Sequence, residues 1–395
     1  MPFCRDCGKS VEADWKFCPG CNSALPQSNG NSTIQNANVT LHDSPIVGDV
    51  NISQNNAEDI AAAMVLALER IGFSGQSSPA ELTPSQEAEV EQVLEMSEQL
   101  VEHGVEVDPW TEIELGNAAR LTGRTNTAQQ HYLRALETFR KNGDRQGEAS
   151  SLIGLGVIAD TRGDLAEAER LYRECLAIKR EISDRIGEAN SLNNLGTIAQ
   201  IRGNLAEAER LYRESLAIKR EIGDRGGEAA SLLNLGIIAE TRGYLAGAER
   251  LYRESLDIRR EIGDRGGEAT SLGNLGNIAE TQGDLAEAER LYRESLAIDR
   301  EIGDRGGEAA SLGNLGSIAR KRGDLAEAER LLREVLTIEK EIGDRQGAAN
   351  SLEELGNIAS NNGNRKELRK CYTEAVRIRR EIGIPITQWF IDHEY

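Results

Sequence analysis

Residues 267–306 read GEATSLGNLGNIAETQGDLAEAERLYRESLAIDREIGDRG, a block with two helical stripes separated by a glycine. Ala269, Leu272, Leu275, Ile278 and Ala279 fall at helical spacing and predict a first amphipathic helix. Gly283 follows, where a left-handed residue ends such a helix. Asp284 stands at the N-cap position of a second helix, with Glu287 three residues on, the spacing of a capping box. Leu285, Ala288, Leu291, Tyr292, Leu296, Ile298 and Ile302 supply the apolar stripe of that second helix. Gly303 closes it, and Asp304 can cap the next one.

The block recurs. Gly147-Glu148-Ala149 returns at 187, 227, 267 and 307, a period of 40, and with looser copies at either end seven units run over 107–386. One helix pair cannot bury both of its stripes, so neighbours must stack. Armadillo, HEAT and propeller repeats have similar periods. The helical spacing and the lack of strand runs exclude a propeller. Between the helical families the internal signature decides. Leu272, Leu275, Gly276, Ala279, Gly283, Leu285, Ala288 and Tyr292 resemble the tetratricopeptide pattern of large, large, Gly, small, Gly, large, Ala, aromatic. Gly276 and Ala288 are expected where the helices approach closely. The proline that ends the usual unit is missing and Arg300 replaces it, which allows longer helices than the usual ~34-residue unit holds. Long units of this kind resemble those of kinesin light chains and the Pins/LGN cell-polarity adaptors. The expected fold class is therefore all-α, a tetratricopeptide-type superhelical solenoid.

The ends of the array depart from the pattern, as caps do. Arg365 and Leu368 replace Leu and Ala in the last unit, and Pro385 stops it. Asp108-Pro109-Trp110 opens the first unit, and Trp110 is placed to cover its open face. Residues 84–103 form a further helix, apolar at Val90, Val93, Leu94, Leu100 and Val101, expected to dock on unit one.

The resemblance implies a function. In tetratricopeptide arrays the first helices line a concave groove. Asn194, Asn234, Asn274 and Asn314 recur just before Leu-Gly on those helices. Each amide offers two donors and an acceptor, which suits the unpaired backbone of an extended peptide. Kinesin-light-chain-like and Pins-like arrays carry a comparable row. The competing reading is that these amides bond neighbouring helices. Two further rows vary from unit to unit: Thr197, Ile237, Asn277, Ser317 and Asn357, and then Gln200, Glu240, Glu280 and Arg320. Glu240 and Glu280 predict a basic residue in the ligand, and Arg320 with Lys321 an acidic group. The Glu289 and Arg293 pair, four residues apart, reads as a solvated outer face.

Cys4, Cys7, Cys18 and Cys21 have the spacing Cys-x2-Cys, ten residues, Cys-x2-Cys. Two such turns can present four thiolates to one tetrahedral ion, so structural Zn2+ is expected in an N-terminal zinc ribbon. The basic residues Arg5, Lys9 and Lys16 are cancelled by Asp6, Glu12 and Asp14, which disfavours a nucleic-acid reader. Cys175 and Cys371 read as small packing residues.

The expected organisation is a ribbon at 1–24, a polar linker or short β segment at 25–56, and a helical connector at 57–106. Seven repeat units at 107–386 and a tail at 387–395 follow. Isolated apolar residues around Gly48-Asp49 allow either a flexible linker or two short strands. Ile60, Met64, Ala67, Leu68 and Ile71 share one helix face, which makes 30–73 the candidate module for homo-oligomerisation.

Composition narrows the classes. A formal charge of −20 repels nucleic acid and anionic lipid and favours cationic partners. The longest apolar run, Ile60 to Leu68, is too short to span a bilayer and is bracketed by charges. No secretory signal is visible, so a cytoplasmic site is expected. The four histidines, His42, His103, His131 and His393, are scattered, and no phosphate-cradling glycine loop occurs, so no enzyme is expected. The leading reading is a protein-interaction scaffold for an extended peptide. The alternative is a nucleic-acid-linked regulator with the ribbon as reader.

Overall fold

A computed structural model describes residues 39–44, 48–52, 57–73, 82–102 and 106–386. The chain divides into two compact units, Met1–Ser191 and Leu192–Tyr395. The division falls inside the helix Arg185–Ile201.

In the first unit β1 (Val39–Ser44) and β2 (Gly48–Ile52) pair antiparallel, Val39 opposite Ile52 and Leu41 opposite Val50. Of the two readings left open for this segment, the structure has the strand pair. Helix α1 (Ala57–Ile71) packs on α2 (Pro84–Glu102), which in turn meets α3 (Pro109–Leu121). Met64, Ala67, Leu68 and Ile71 are buried, so this apolar face is used within the unit. Asp108 caps α3 by accepting from the Thr111 N–H at 3.0 Å. Trp110 meets Phe139 edge to face, with centroids 5.0 Å apart. Helices α4 (Thr125–Asn142), α5 (Arg145–Thr161) and α6 (Leu165–Glu181) continue the pairing up to α7 (Arg185–Ile201).

The second unit holds α8 (Leu205–Ile222), α9 (Arg225–Thr241), α10 (Leu245–Ile262), α11 (Arg265–Gln282) and α12 (Leu285–Ile302). It ends with α13 (Arg305–Lys321), α14 (Leu325–Glu341), α15 (Arg345–Asn361) and α16 (Arg365–Glu381). Each odd helix packs on the even helix that follows and on the one before it. This is an all-α solenoid of stacked helix pairs. Its core is built of small repeated contacts, with Leu272, Leu275 and Ile278 of α11 against Leu291, Tyr292 and Leu296 of α12.

The quoted repeat folds largely as its caps dictate. Gly283 is left-handed at φ 84, and Asp284 accepts from the Glu287 N–H at 3.0 Å. Asp304 caps α13 through the Gly307 N–H at 2.8 Å. The capping box is only half made. The Asp284 N–H bonds the Ala279 carbonyl at 2.9 Å, and the Glu287 carboxylate turns to Arg290 instead. A helix terminus can fill that backbone donor from the preceding helix, which frees the acid for an ion pair.

Gly276 serves a different contact from the one expected. A Cβ there would lie 2.5 Å from Cε1 of Tyr292, so the glycine makes room for the buried tyrosine ring of its own pair. Gly116, Gly156, Gly196, Gly236 and Gly356 do the same for Tyr132, Tyr172, Tyr212, Tyr252 and Tyr372.

The expectation of structural Zn2+ is corrected. Among the described residues no group of three or more His, Cys, Asp or Glu could hold a metal ion. The physical reason is pairing: the many carboxylates face guanidinium groups rather than one another. The ribbon cysteines Cys4, Cys7, Cys18 and Cys21 lie outside the described residues. Cys175 and Cys371 are buried free thiols whose pKa burial raises, so neither is set up as a nucleophile.

Candidate functional site

The expected contact rows all belong to the second unit, on α7 from Leu192 onward and on α9, α11, α13 and α15. Asn194, Asn234, Asn274 and Asn314 are half-buried. Asn234 donates from Nδ2 to Oδ1 of Asn193 at 3.1 Å, a bond between successive first helices. Among the described residues no hydrogen bond engages the side-chain amides of Asn194, Asn274 or Asn314.

The reason Asn234 differs is local. Asn193 offers its amide 41 residues before Asn234, whereas the positions that stand so to Asn274 and Asn314 are Leu233 and Gly273, which carry no acceptor side chain; Gly273 and Gly313 also directly precede the two asparagines. A Cβ at either glycine would meet nothing within 4 Å. Mid-helix glycine costs about 1 kcal/mol relative to alanine, and here no packing requires it. Gly273 and Gly313 therefore leave bare backbone beside two unbonded amides.

The variable rows have a role that sequence reasoning missed. They cap the hydroxyls of the buried tyrosines. Tyr212 donates to Gln200 Oε1 at 2.9 Å and lies 3.2 Å from Thr197 Oγ1. Tyr252 donates to Glu240 at 2.7 Å. Tyr292 reaches both Asn277 at 2.7 Å and Glu280 at 2.8 Å, and Tyr372 donates to Asn357 at 2.7 Å. Burial, then the facing Glu240 and Glu280 carboxylates, raise the pKa of Tyr252 and Tyr292. Those hydroxyls stay protonated donors. The signal was present in the sequence as a fixed separation of 12 or 15 residues between the polar position and its tyrosine.

Charge is also partly spent within the fold. Glu280 accepts from Ser317 at 3.0 Å and pairs with Lys321 at 2.8 Å. Burial pushes its pKa up, but the bonds from Lys321, Tyr292 and Ser317 outweigh that and hold it low. Arg320 reaches Glu354 at 3.7 Å. Glu240 has no cationic partner among the described residues. The expected attraction for a basic ligand residue therefore rests on Glu240, while Glu280 is already balanced.

A second unforeseen feature is an arginine–glutamate staple centred on Glu148, Glu188, Glu228, Glu268 and Glu308, with Ala348 in that place at the start of α15. Glu268, the acid of the recurring Gly-Glu-Ala, is 6% exposed and is held by Arg260 Nε at 2.8 Å and Arg265 Nη1 at 2.5 Å. The same two arginines reach Glu294 and Glu301 of the following helix, each at 2.5 Å. Arg300, which replaces the usual proline, does this work one repeat later with Glu308 at 2.7 Å and Glu334 at 2.6 Å. In the first unit His131 is buried against Glu112 at 2.5 Å, with Arg134 on the same carboxylate at 2.9 Å.

These observations define a class. The described helices of the array form a solenoid of stacked helix-pair repeats. A tetratricopeptide repeat profile matches residues 109–181, 187–261, 245–301, 267–341 and 307–381, well over half of the sequence. The chain belongs to the tetratricopeptide repeat family.

No curated protein matches it. Among solved structures, the apo form of RapI aligns at 16% identity over 70% of this chain and 98% of that one, with a TM-score of 0.56. PH0952 from Pyrococcus horikoshii is a signal transduction ATPase with numerous domains and a tetratricopeptide repeat sensor. It aligns at 16% identity over 84% of this chain and 54% of that one, with a TM-score of 0.59. BtubC from P. vanneervenii aligns at 20% identity over 57% of this chain and 92% of that one, with a TM-score of 0.49. At these identities the likeness to RapI and PH0952 shows the fold alone. Among the described residues no helix is long and apolar enough to cross a membrane.

Proposed function

We propose that the first-helix face of the second unit binds an extended peptide of a partner protein. The observation that carries this reading is the combination of Gly273 and Gly313, bare and unpacked, with the unbonded amides of Asn274 and Asn314 beside them. A peptide backbone can approach a helix closely only where no side chain stands in the way. Its unpaired N–H and C=O groups then find amide partners one repeat apart. Asn194 extends the row, and Asn234 spends one of its two donors on Asn193, leaving one donor and its acceptor. Thr197, Gln200, Asn277 and Glu280 act first as supports for the tyrosines, so they shape the floor more than they select the ligand. Glu240 also accepts from Tyr252, but it has no cationic partner among the described residues, so it and Arg320 carry the selectivity. The nucleic-acid alternative depended on the cysteine segment, and nothing in the described residues favours it.

The test uses random peptides selected on the wild-type chain. Gly273→Gln/Gly313→Gln fills the bare strip with side chains that meet nothing in the fold, so thermal stability is maintained or raised. Peptide affinity is expected to fall by about tenfold or more, the loss of roughly 1.4 kcal/mol. Equal affinity in the two proteins would rule out this face as the peptide site.

A further inference from the structure

The second helices carry another kind of cleft, lined on the first helices by residues other than the asparagine row. Each lies between two successive second helices with the intervening first helix as its floor. The one over α9 has a volume of about 620 Å³ and a floor that includes Leu216, Leu235, Ile238 and Leu251. Equivalent clefts lie over α11 and α13.

In the other repeats of the second unit the charges at these clefts are matched. Glu287 holds Arg290 through two bonds of 2.8 Å, and Glu327 holds Arg330 at 2.8 and 2.7 Å. The same glutamates also feel the arginine one helix pair back, Arg253 for Glu287 and Arg293 for Glu327. One carboxylate thus serves two arginines.

In α10 that carboxylate is gone, because position 247 is glycine. Arg250 makes no ion pair among the described residues. Glu254 holds Arg220 at 2.5 Å but not Arg250, although the equivalent Glu294 holds both Arg260 and Arg290. Arg213 keeps only the glutamate of its own helix, Glu209, at 2.5 Å. The cleft over α9 is therefore lined by Arg213, Arg220, Arg242 and Arg250 against Glu209 and Glu254. By contrast, the cleft over α13 sets four arginines against Glu289, Asp324, Glu327 and Glu334. In a chain of charge −20, one cleft is net positive.

The same repeat breaks a second rule three residues earlier. Tyr244 stands at the N-cap of α10, where Asn204, Asp284, Asp324 and Asn364 cap the equivalent helices. It makes no capping bond and is 67% exposed at the rim of the cleft. Losing a cap costs about 1 kcal/mol, and this position recovers nothing for it within the fold. Exposed tyrosine and unpaired arginine beside an apolar floor are the residue types that dominate binding energy at interfaces.

We infer that the cleft over α9 is a second docking surface, for an acidic peptide segment of a partner protein. A glutamate or aspartate of that segment stands where the carboxylate of position 247 is missing, between Arg250 and Arg213. An aliphatic neighbour lies on Leu216, Leu235 and Leu251, and Tyr244 covers it from the rim. The charge complementarity is set by the repeat itself, since the partner replaces the group that the other repeats supply. This surface is separate from the asparagine face, and the inference holds whether or not that face binds peptide.

The probe is a fluorescein-labelled peptide of alternating glutamate and leucine, titrated against the full chain by fluorescence anisotropy. A lysine–leucine peptide serves as its counterpart. Tyr244→Asp/Gly247→Glu gives the repeat the residues its neighbours carry, so it should melt higher than the wild type. The acidic peptide should bind the wild type more weakly as salt rises. It should bind the double variant at least about tenfold more weakly, and the basic peptide should not bind. Equal binding of the acidic peptide to both proteins, no binding to the wild type, or equal binding of the two peptides would overturn the inference.

Discussion

At Gly276 a single hydrogen in place of a methyl group decides whether Tyr292 fits. The same glycine recurs at Gly316, but there the facing residue is Leu332, and the nearest atoms to an added Cβ are 3.8 Å away. The two sites make a matched pair. Gly276→Ala should destabilise by about 1–3 kcal/mol, since the ring is enclosed and cannot retreat. Gly316→Ala should be neutral or stabilising by up to about 1 kcal/mol, from helix propensity alone. Urea denaturation of both variants checks this, and equal losses would show that the ring contact is not what the glycine is for.

A second residue-scale case is Asp299, 3% exposed. Lys179 fills the equivalent position and pairs with the N-cap Asp184 at 2.8 Å. Asp299 instead faces the N-cap Asp304 and Glu308, with only Ser311 at 2.9 Å and Ser295 at 3.5 Å donating to it. Burial first, then those two like charges, raise its pKa, and the serine bonds only partly offset this. The folded value lies above the unfolded one. The stabilisation is therefore complete below the unfolded value and is lost as pH rises through the folded value. Asp299→Asn should then gain stability on the order of 1 kcal/mol at pH 8 and little at pH 4. Melting curves at the two pH values would contradict the account if the gain were the same at both.

At the scale of elements, helix pairs are joined by apolar stripes and by the arginine–glutamate staples. Glu268 ties the end of α10 and the start of α11 together, and its arginines reach α12. Glu268→Ala removes the carboxylate that Arg260 and Arg265 share, while both arginines stay partly solvated and keep Glu294 and Glu301. It should cost about 1 kcal/mol, since solvent screens the two half-exposed guanidinium groups. Hydrogen exchange should show the loss concentrated in α10 to α12, because a stacked repeat contacts only its neighbours. Uniform loss across the second unit would argue that the staple is not local.

The elements themselves were legible in the sequence because each boundary carries its own local chemistry: Gly283 for the left-handed end, Asp284 and Asp304 for the caps. The staple was harder to read. Arg260, Glu268 and Glu294 meet only once the chain has turned twice. The invariance of the Gly-Glu-Ala acid from copy to copy was the available clue. The capping box failed for a related reason: Glu287 sits next to Arg290 as well as to Asp284, and spacing alone does not say which wins.

At the scale of the whole molecule, repetition made the fold readable and the site partly readable. Copies that agree report packing, as Leu272 and Tyr292 do. Copies that differ report either tolerance or use, and the sequence alone does not separate these. Thr197, Gln200, Asn277 and Glu280 looked like ligand contacts because they vary. The structure gives them tyrosine hydroxyls to hold, and many polar residues can do that. Gly273 and Gly313 drew no notice, because a glycine inside a repeat resembles a turn residue until its surroundings are seen to be empty. Position 247 was hidden for the opposite reason: the loss of Glu matters only through two arginines, Arg250 three residues on and Arg213 one helix pair back.

We propose that the first helices of the second unit hold an extended peptide by its backbone. A crystal structure of the chain with a selected peptide would show this contact. The peptide should run across α11 and α13 over Gly273 and Gly313, its backbone bonded to the amides of Asn274 and Asn314. A peptide seated elsewhere, or bound on this face through side chains with those amides still unbonded, would contradict it.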